Sequence, residues 1–523
     1  MPSSLKADAG WLAQGRVCYN SLDPRGANMK KTARPLLPIL VAFLAFIFIS
    51  SATRTHGLAS PGPEDKCTTV IVGKKATADG SVLLGHNEDW GQYLMPLRWN
   101  PREKHQPGEI LRLRDGQVIP QVELAYAFIW PAAECNGINE FQVAIADDTG
   151  SCRKELFQNE RGLDLEEFVR LALQRSRTAK EAIVTMGTII EKYGYRSHNG
   201  LDGDIFSIAD PNEGWWMEVT IGGLWAAQRV PDDAIIVLAN RFRIGEVDLR
   251  DSSRFLASPN LIDYAQKKGW YNPAEGPFNF ERTYGTVEDA RSTYNTRREW
   301  RGNWLLSGQR FREEANPLTV VPAKKLTPRD IMALLRDHYE GTEYDLTKGY
   351  DKGSPHHTTE RTICRMTTDA TTVAHLRGWL PPEIGGVLWL SIGTPCSSVY
   401  VPYYLGVLDF PKPYTYLSDT YDRENAFWVF NSLENLVDRY YGEREKFADL
   451  EMRAIDYVVG FWKKFEDDEF AIQSAVEKTA LELYEKDKSL ARFFLDAYSN
   501  ALGLRAFVDA RTLSDMLRSK YYQ

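Results

Sequence analysis

One short stretch holds the groups able to break an amide: Cys67 at its start, and His86, Asn87, Glu88 and Asp89 at its far end. A thiol attacks carbonyl carbon as the thiolate, and neighbouring imidazole and carboxylate groups set how readily it ionises. If the chain is cut between Lys66 and Cys67, the cysteine also carries a free α-amine. That amine, with a pKa near ~8, can take the proton of its own side chain. Nucleophile and general base then reside on one residue. The bland alternative is an ordinary hairpin with a small buried cysteine.

The intervening residues build the element that brings the two ends together. Thr68–Val72 is β-branched throughout and suits a buried strand. Gly73–Gly80 carries turn chemistry, with Asp79-Gly80 at its tip. Ser81–Gly85 is expected to return as the second strand. The hairpin sets His86–Asp89 beside Cys67.

Cys67 to Asp89 reads CTTVIVGKKATADGSVLLGHNED. It resembles the opening of the C69 dipeptidase family of N-terminal-nucleophile hydrolases, which begins C-T-T-[IV]-[LIV]-V-G-K-K-A-x-x-D-G-S and closes with R-N-E-D. His86 stands where that family has arginine. Similar strings follow: G-x-N-E-x-x-V-A-I from Gly137, I-A-D-P-N-E-G-W from Ile208, A-N-R-F-R-I-G-E from Ala239, R-x-I-C-R from Arg361 and V-P-x-Y from Val401. The resemblance implies an α+β fold, a four-layer αββα sandwich, and an enzyme that removes its own leader and hydrolyses dipeptides or short peptides. It casts Cys67 as nucleophile and Asp89 as the group orienting its amine. Asn240 would donate an N–H to the oxyanion, a contribution of roughly 3–4 kcal/mol. Asn139 and Asp148 are candidate lining of the substrate site. Arg365, or Arg361, is a candidate for holding a substrate carboxylate in bidentate fashion. Each also has an ordinary reading as a turn residue, a core-strand residue or a structural ion pair. At His86 the imidazole lowers the thiol pKa only when protonated, near or below ~6.5. A more acidic optimum or weaker activity than in arginine-bearing relatives is expected.

Around this stretch the chain of 523 residues is globular in composition, 43% hydrophobic and rich in Trp, Tyr and Phe, which excludes general disorder. A net charge of −8 gives no basic field for nucleic acid. Residues 1–66 read as a leader. Met29-Lys30-Lys31 and Arg34 precede the apolar run Leu36–Ile49, which is shorter than a ~20-residue membrane span and suits a signal peptide. Met1–Asn28 then looks like an upstream extension, and a short propeptide follows the apolar run. Secretion or export to a periplasm is expected, with an uncleaved membrane anchor as the alternative; membrane contact would be confined to the leader.

Setting aside Cys18 in the leader and Cys67, four cysteines remain: Cys135, Cys152, Cys364 and Cys396. Chain neighbourhood would pair Cys135 with Cys152 and Cys364 with Cys396, although spacing does not fix this. No C-x-x-C, zinc-like Cys/His spacing or H-E-x-x-H occurs, and His356-His357 with Glu360 is loop-like. No cofactor and no metal site are expected.

The catalytic body is expected over 67–417, followed by a helical subdomain over 418–523. Strands are expected at Glu109–Arg114, Val122–Trp130, Phe141–Ala146, Ile205–Ala209, Trp215–Ile221, Leu224–Val230, Ala234–Ala239, Arg361–Val373 and Val387–Ile392. Capped helices begin after Asp164 and Thr178. Others are expected at Arg254–Lys268, Tyr294–Leu306 (a solvated basic face carrying Arg297, Arg298 and Arg301) and Leu326–His338. The C-terminal helices are Ala426–Tyr440, Glu443–Phe465, Phe470–Asp487 and Ser489–Ala501. The leading functional reading is an exported cysteine dipeptidase. The alternatives are an acyl-amide hydrolase of the same fold, like penicillin V or bile-salt hydrolases, and a non-catalytic exported peptide-binding protein. Oligomeric state stays open.

Overall fold

The computed structural model describes residues 66–91, 96–131, 136–156, 162–196, 202–447 and 450–521. The proposed signal peptide, Cys18 and Cys135 lie outside them. No described helix is long and apolar enough to cross a membrane.

The hairpin forms at the middle of a sheet. Strand β1 (Thr68–Val72) pairs with β2 (Val82–Glu88) on one side and with Ile235–Leu238 on the other. β2 in turn pairs with Ala370–Leu376. The full order of this seven-stranded antiparallel sheet is Thr319–Val320, Ile235–Leu238, β1, β2, Ala370–Leu376, Gly386–Ile392 and Val401–Tyr404. A second, eight-stranded sheet contains the meander Gly137–Asn139, Ala144–Gly150, Gly203–Ala209, Gly214–Val219 and Trp225–Arg229. The two sheets stack face to face. Ile71, Val82 and Leu84 of the first join Ile138, Ala146, Ile205 and Trp216 of the second in one buried cluster.

Helices α1 (Leu165–Arg175) and α2 (Ala179–Tyr193) cover the outer face of the second sheet, their apolar stripe meeting Ile145, Phe206 and Met217. On the outer face of the first sheet lie α3 (Thr293–Ser307) and α4 (Pro328–Leu335), against Val70, Val72, Leu83 and Val237. Gly85 lets α4 approach, since a Cβ there would stand 2.4 Å from the Ile331 side chain. The four αββα layers are therefore present in an α+β chain.

Helices α5 (Ala426–Arg439), α6 (Ala454–Lys486) and α7 (Lys488–Tyr521) pack against the strands Gly386–Ile392 and Val401–Tyr404. Here the structure departs from the expected boundaries. The acidic run after Phe465 does not break the helix. Glu466 is held by Arg336, and Asp467 and Asp468 pair with Lys463 and Lys464 one turn back, so α6 runs on. Its expected first residues form a hairpin, Arg444–Phe447 with Leu450–Arg453. Nor does Gly503 end α7. It sits mid-helix because a Cβ would meet the Tyr403 hydroxyl at 2.4 Å. Pro259 splits the expected Arg254–Lys268 helix into a strand, Phe255–Ala257, and a helix, Leu261–Lys267. Residues 361–369 are a loop rather than strand, and the strand begins at Ala370. α3 is not a solvated basic helix, because Arg298, Glu299, Trp300 and Arg301 are buried.

Candidate active site

Strand alternation decides which way the site residues point. In β1, Thr69 and Ile71 share a face, and the residue before them in that series is Cys67. His86 lies directly across from Thr69, and Glu88 is two residues further along β2. Cys67, Thr69, His86 and Glu88 therefore face the second sheet, where Asp148 reaches them. β2 continues to Glu88 rather than ending at Gly85.

These groups form one buried network. The Cys67 thiol donates to Glu88 Oε1 at 3.4 Å, and the Asp89 backbone N–H points to Sγ at 3.5 Å. His86 Nε2 lies 3.2 Å from Glu88 Oε2, and its Nδ1 lies 2.8 Å from Thr69 Oγ1. The Thr69 hydroxyl donates to Asp148 Oδ2 at 2.6 Å. With the threonine proton given to Asp148, both ring nitrogens face acceptors, an arrangement that suits the imidazolium. Burial pulls the His86 pKa down, but the Glu88 hydrogen bond and charge outweigh it, and the net shift is upward. Histidine thus supplies the cation expected of arginine, and does so above the ordinary imidazole range. Asp148 is pushed up to about 6, chiefly by burial. Burial, then the Glu88, Asp148 and Asp89 charges, raises the Cys67 thiol well above its usual value, so in the uncut chain it is neutral.

The opposite face of the strand ends is held by two guanidinium groups. Arg298 on α3 is fully buried. It donates to the Cys67 carbonyl at 2.5 Å, Thr68 Oγ1 at 2.9 Å, Asn240 Oδ1 at 2.9 Å and Asn295 Oδ1 at 3.0 Å. Burial and the nearby Arg361 bring its pKa down to about 10, so it remains charged at neutral pH. Arg361 pairs with Asp89 Oδ2, and the Thr368 hydroxyl binds the other Asp89 oxygen. The carbonyl of Lys66, on the bond before Cys67, accepts from both Arg298 and Arg361.

The expected site residues divide accordingly. Cys67, His86, Asp89 and Asp148 converge. Asn240 reaches the same cluster through Arg298, while its Nδ2 donates to the Thr149 carbonyl at 2.9 Å. Asn139 belongs to the turn between its strand and the next. Its Nδ2 donates to the Leu173 and Ser176 carbonyls, and its Oδ1 accepts from Phe141 and Val143. That commits the side chain to local backbone. Arg365 is half-buried, with its carbonyl accepting from Thr394 Oγ1 at 3.0 Å; the arginine that engages the site is Arg361. Sequence reasoning sets Glu88 beside Cys67 without a role of its own, and the residues it does not single out for the site are Thr69 and Arg298. Period-two alternation from Cys67 and His86 would have indicated Glu88 and Thr69. No local signal marks Arg298.

The remaining cysteines are free thiols among the described residues, so Cys364 and Cys396 are not joined in a disulfide. Both lie in a second cluster with His338 and His356.

Comparison with known proteins gives consistent matches. Residues 66–452 match the profile of "Peptidase family C69". The "Probable dipeptidase" of Latilactobacillus sakei is 29% identical over 72% of this chain and 82% of its own length. "Probable dipeptidase B" of Lactococcus lactis subsp. lactis is 28% identical, covering 84% and 94%. "Dipeptidase A" of Lactobacillus helveticus is 29% identical, covering 73% and 84%. Among solved structures, penicillin V acylase from Agrobacterium tumefaciens aligns with 66% of this chain and 87% of its own, at 12% identity and a TM-score of 0.30.

Proposed function

The chain belongs to peptidase family C69 and is an enzyme of the dipeptidase type; on that premise we propose that it acts as an exported N-terminal-nucleophile cysteine dipeptidase, matured by cleavage between Lys66 and Cys67. The carrying observation is the Lys66 carbonyl lodged between Arg298 and Arg361, beside a thiol whose residue immediately precedes the central strand β1. Two guanidinium groups on a carbonyl oxygen stabilise negative charge developing there. That favours attack on the Lys66–Cys67 bond and release of the Cys67 amine.

In the mature enzyme the Cys67 amine accepts the thiol proton, and sulfur attacks the substrate carbonyl. The oxyanion is held by Asn240 and backbone N–H groups. The intermediate collapses to a thioester as the amine product departs with a proton, and water then hydrolyses the thioester. Asp89, fixed by Arg361 and Thr368, orients the Cys67 ammonium formed in the first step. Export rests on the leader read from residues 1–66.

The test is the N-terminus of the purified protein by mass spectrometry, alongside a panel of dipeptides and N-acyl amino acids. The expected result is a chain beginning at Cys67 that cleaves dipeptides and prefers them to N-acyl amino acids. Cys67→Ala should remain uncut and inactive. An active chain with Cys67 internal would overturn the mechanism, and a preference for N-acyl substrates would overturn the substrate class.

A further inference from the structure

On the far side of the Arg361 loop is a cluster that the catalytic chemistry does not use. His338 follows α4. His356 and Cys364 lie in the long segment between α4 and the strand Ala370–Leu376. Cys396 lies between the strands Gly386–Ile392 and Val401–Tyr404. The ligand atoms of all four lie within 4.8 Å of one another. His338 Nε2 and His356 Nε2 are 3.0 Å apart, and His356 Nε2 is 3.9 Å from Cys364 Sγ and 3.8 Å from Cys396 Sγ. Tetrahedral bonds of ~2.0–2.1 Å to nitrogen and ~2.3 Å to sulfur put ligand atoms about 3.3 Å apart for N···N and about 3.6 Å for N···S. The observed spacings lie close to both.

The outer nitrogens make the same point independently. His338 Nδ1 lies 2.9 Å from Glu340 Oε1, and His356 Nδ1 lies 2.8 Å from Asp438 Oδ1. A carboxylate on Nδ1 fixes the tautomer with the proton there, which directs both Nε2 lone pairs inward. Two lone pairs facing each other at this distance repel unless a proton or a metal ion lies between them, and a metal ion also accounts for the two sulfurs gathered beside the same nitrogen. The imidazole side chains are 1% and 3% exposed, so solvent does not relieve the repulsion. A cavity of about 450 Å³, with Met332, Arg336, Tyr350 and Trp462 in its wall, reaches His338 and Cys396 and gives an ion a route in.

We propose that His338, His356, Cys364 and Cys396 form a structural site for one zinc ion per chain. Two imidazoles and two thiolates in tetrahedral array select zinc among common divalent metals. With four protein ligands the site is closed and takes no part in hydrolysis. Binding displaces to solvent whatever protons the four ligand atoms carry. Its role is to tie the segment that carries Arg361, three residues before Cys364, to α4 and to the Cys396 connection. Arg361 in turn holds Asp89. Zinc therefore positions the active-site carboxylate from a distance.

The test uses the full chain, as wild type and as Cys67→Ala. The alanine variant dismantles the only other described His/Cys/carboxylate group of this kind that contains a cysteine, Cys67 with His86 and Glu88. Elemental analysis should find one equivalent of zinc in both proteins and its loss in Cys364→Ser/Cys396→Ser. To keep the test independent of how the double variant folds, metal-stripped Cys67→Ala is also titrated with Co²⁺. Visible bands of tetrahedral thiolate-bound cobalt should saturate at one equivalent and vanish on adding zinc, and stripping should lower the melting temperature. Three results would each overturn the site: no stoichiometric zinc and no cobalt bands in Cys67→Ala; metal lost in Cys67→Ala but kept in the serine variant; or a Cys364–Cys396 disulfide in the unreduced native protein by mass spectrometry.

Discussion

Replacing Arg361 with methionine removes the cation from an ion pair whose side chains are only 2% and 0% exposed. Asp89 keeps the Thr368 hydroxyl but loses its counter-charge. Stranding a buried charge in this way costs about 3–5 kcal/mol. Unfolding entropy is ~2.1 cal/mol/K per residue, or about 0.9 kcal/mol/K for a cooperative body of roughly 450 residues, so the melting temperature should fall by about 3–5 °C. The informative comparison is Arg361→Met/Asp89→Asn, which removes both charges. It should recover most of the lost stability, because the neutral amide no longer needs a cation. Activity should not recover. Asp89 is assigned to orient the Cys67 amine, and a displaced catalytic group costs on the order of 10²-fold in rate. Calorimetry and dipeptide turnover on the wild type and three variants, Asp89→Asn included, complete the cycle. A single variant that loses less than about 1 kcal/mol, or a double variant no more stable than Arg361→Met, would refute the buried-charge argument. Full activity in the double variant would refute the role given to Asp89.

His86→Arg tests the imidazolium. The raised His86 pKa means that its stabilising charge is fully present below ~6.5 and is lost as pH rises through the higher folded value. Wild-type turnover and stability should both decline as pH rises through that value, and the arginine variant should not show the decline; identical pH profiles would contradict the assignment. Asn240→Ala should lower kcat by about 10²–10³-fold with a smaller change in KM. Arg298 also loses an acceptor in that variant, so a melting curve is needed to separate the two effects. Gly503→Ala forces a methyl group into the Tyr403 hydroxyl and should cost about 1–3 kcal/mol without altering KM; an unchanged melting curve would show that the α7 contact yields.

The legible parts of this molecule were local. β1, its turn and β2 are contiguous, and their propensities and alternation are written within the span from Cys67 to Asp89. The caps at Asp164 and Thr178 likewise act over three residues, and both form as expected. What stayed hidden depends on partners far along the chain. An arginine-rich helix reads as solvated until the acceptors of Arg298 are known, and those lie on β1 and beside Ile235–Leu238. Arg361–Val373 has the composition of a strand, yet Asp89 draws both Arg361 and Thr368 to itself and the segment curls. The acidic residues in the gap expected between Phe465 and Phe470 are held by Arg336 and by lysines one turn away. The four residues of the second cluster have no motif spacing because three separate segments supply them.

The distances along the chain also set an order of events. Cys67 is separated by 231 residues from Arg298, which holds its carbonyl, and Asp89 by 272 residues from Arg361. During synthesis at ~5–20 residues per second, the nucleophile leaves the ribosome some tens of seconds before either guanidinium exists. Until then the hairpin has neither the clamp on the Lys66 carbonyl nor the anchor for Asp89. Under the maturation proposed above, the cysteine is made early and armed late: an incomplete chain would lack the means to cut itself or its neighbours, and completion of the fold would act as the safety catch.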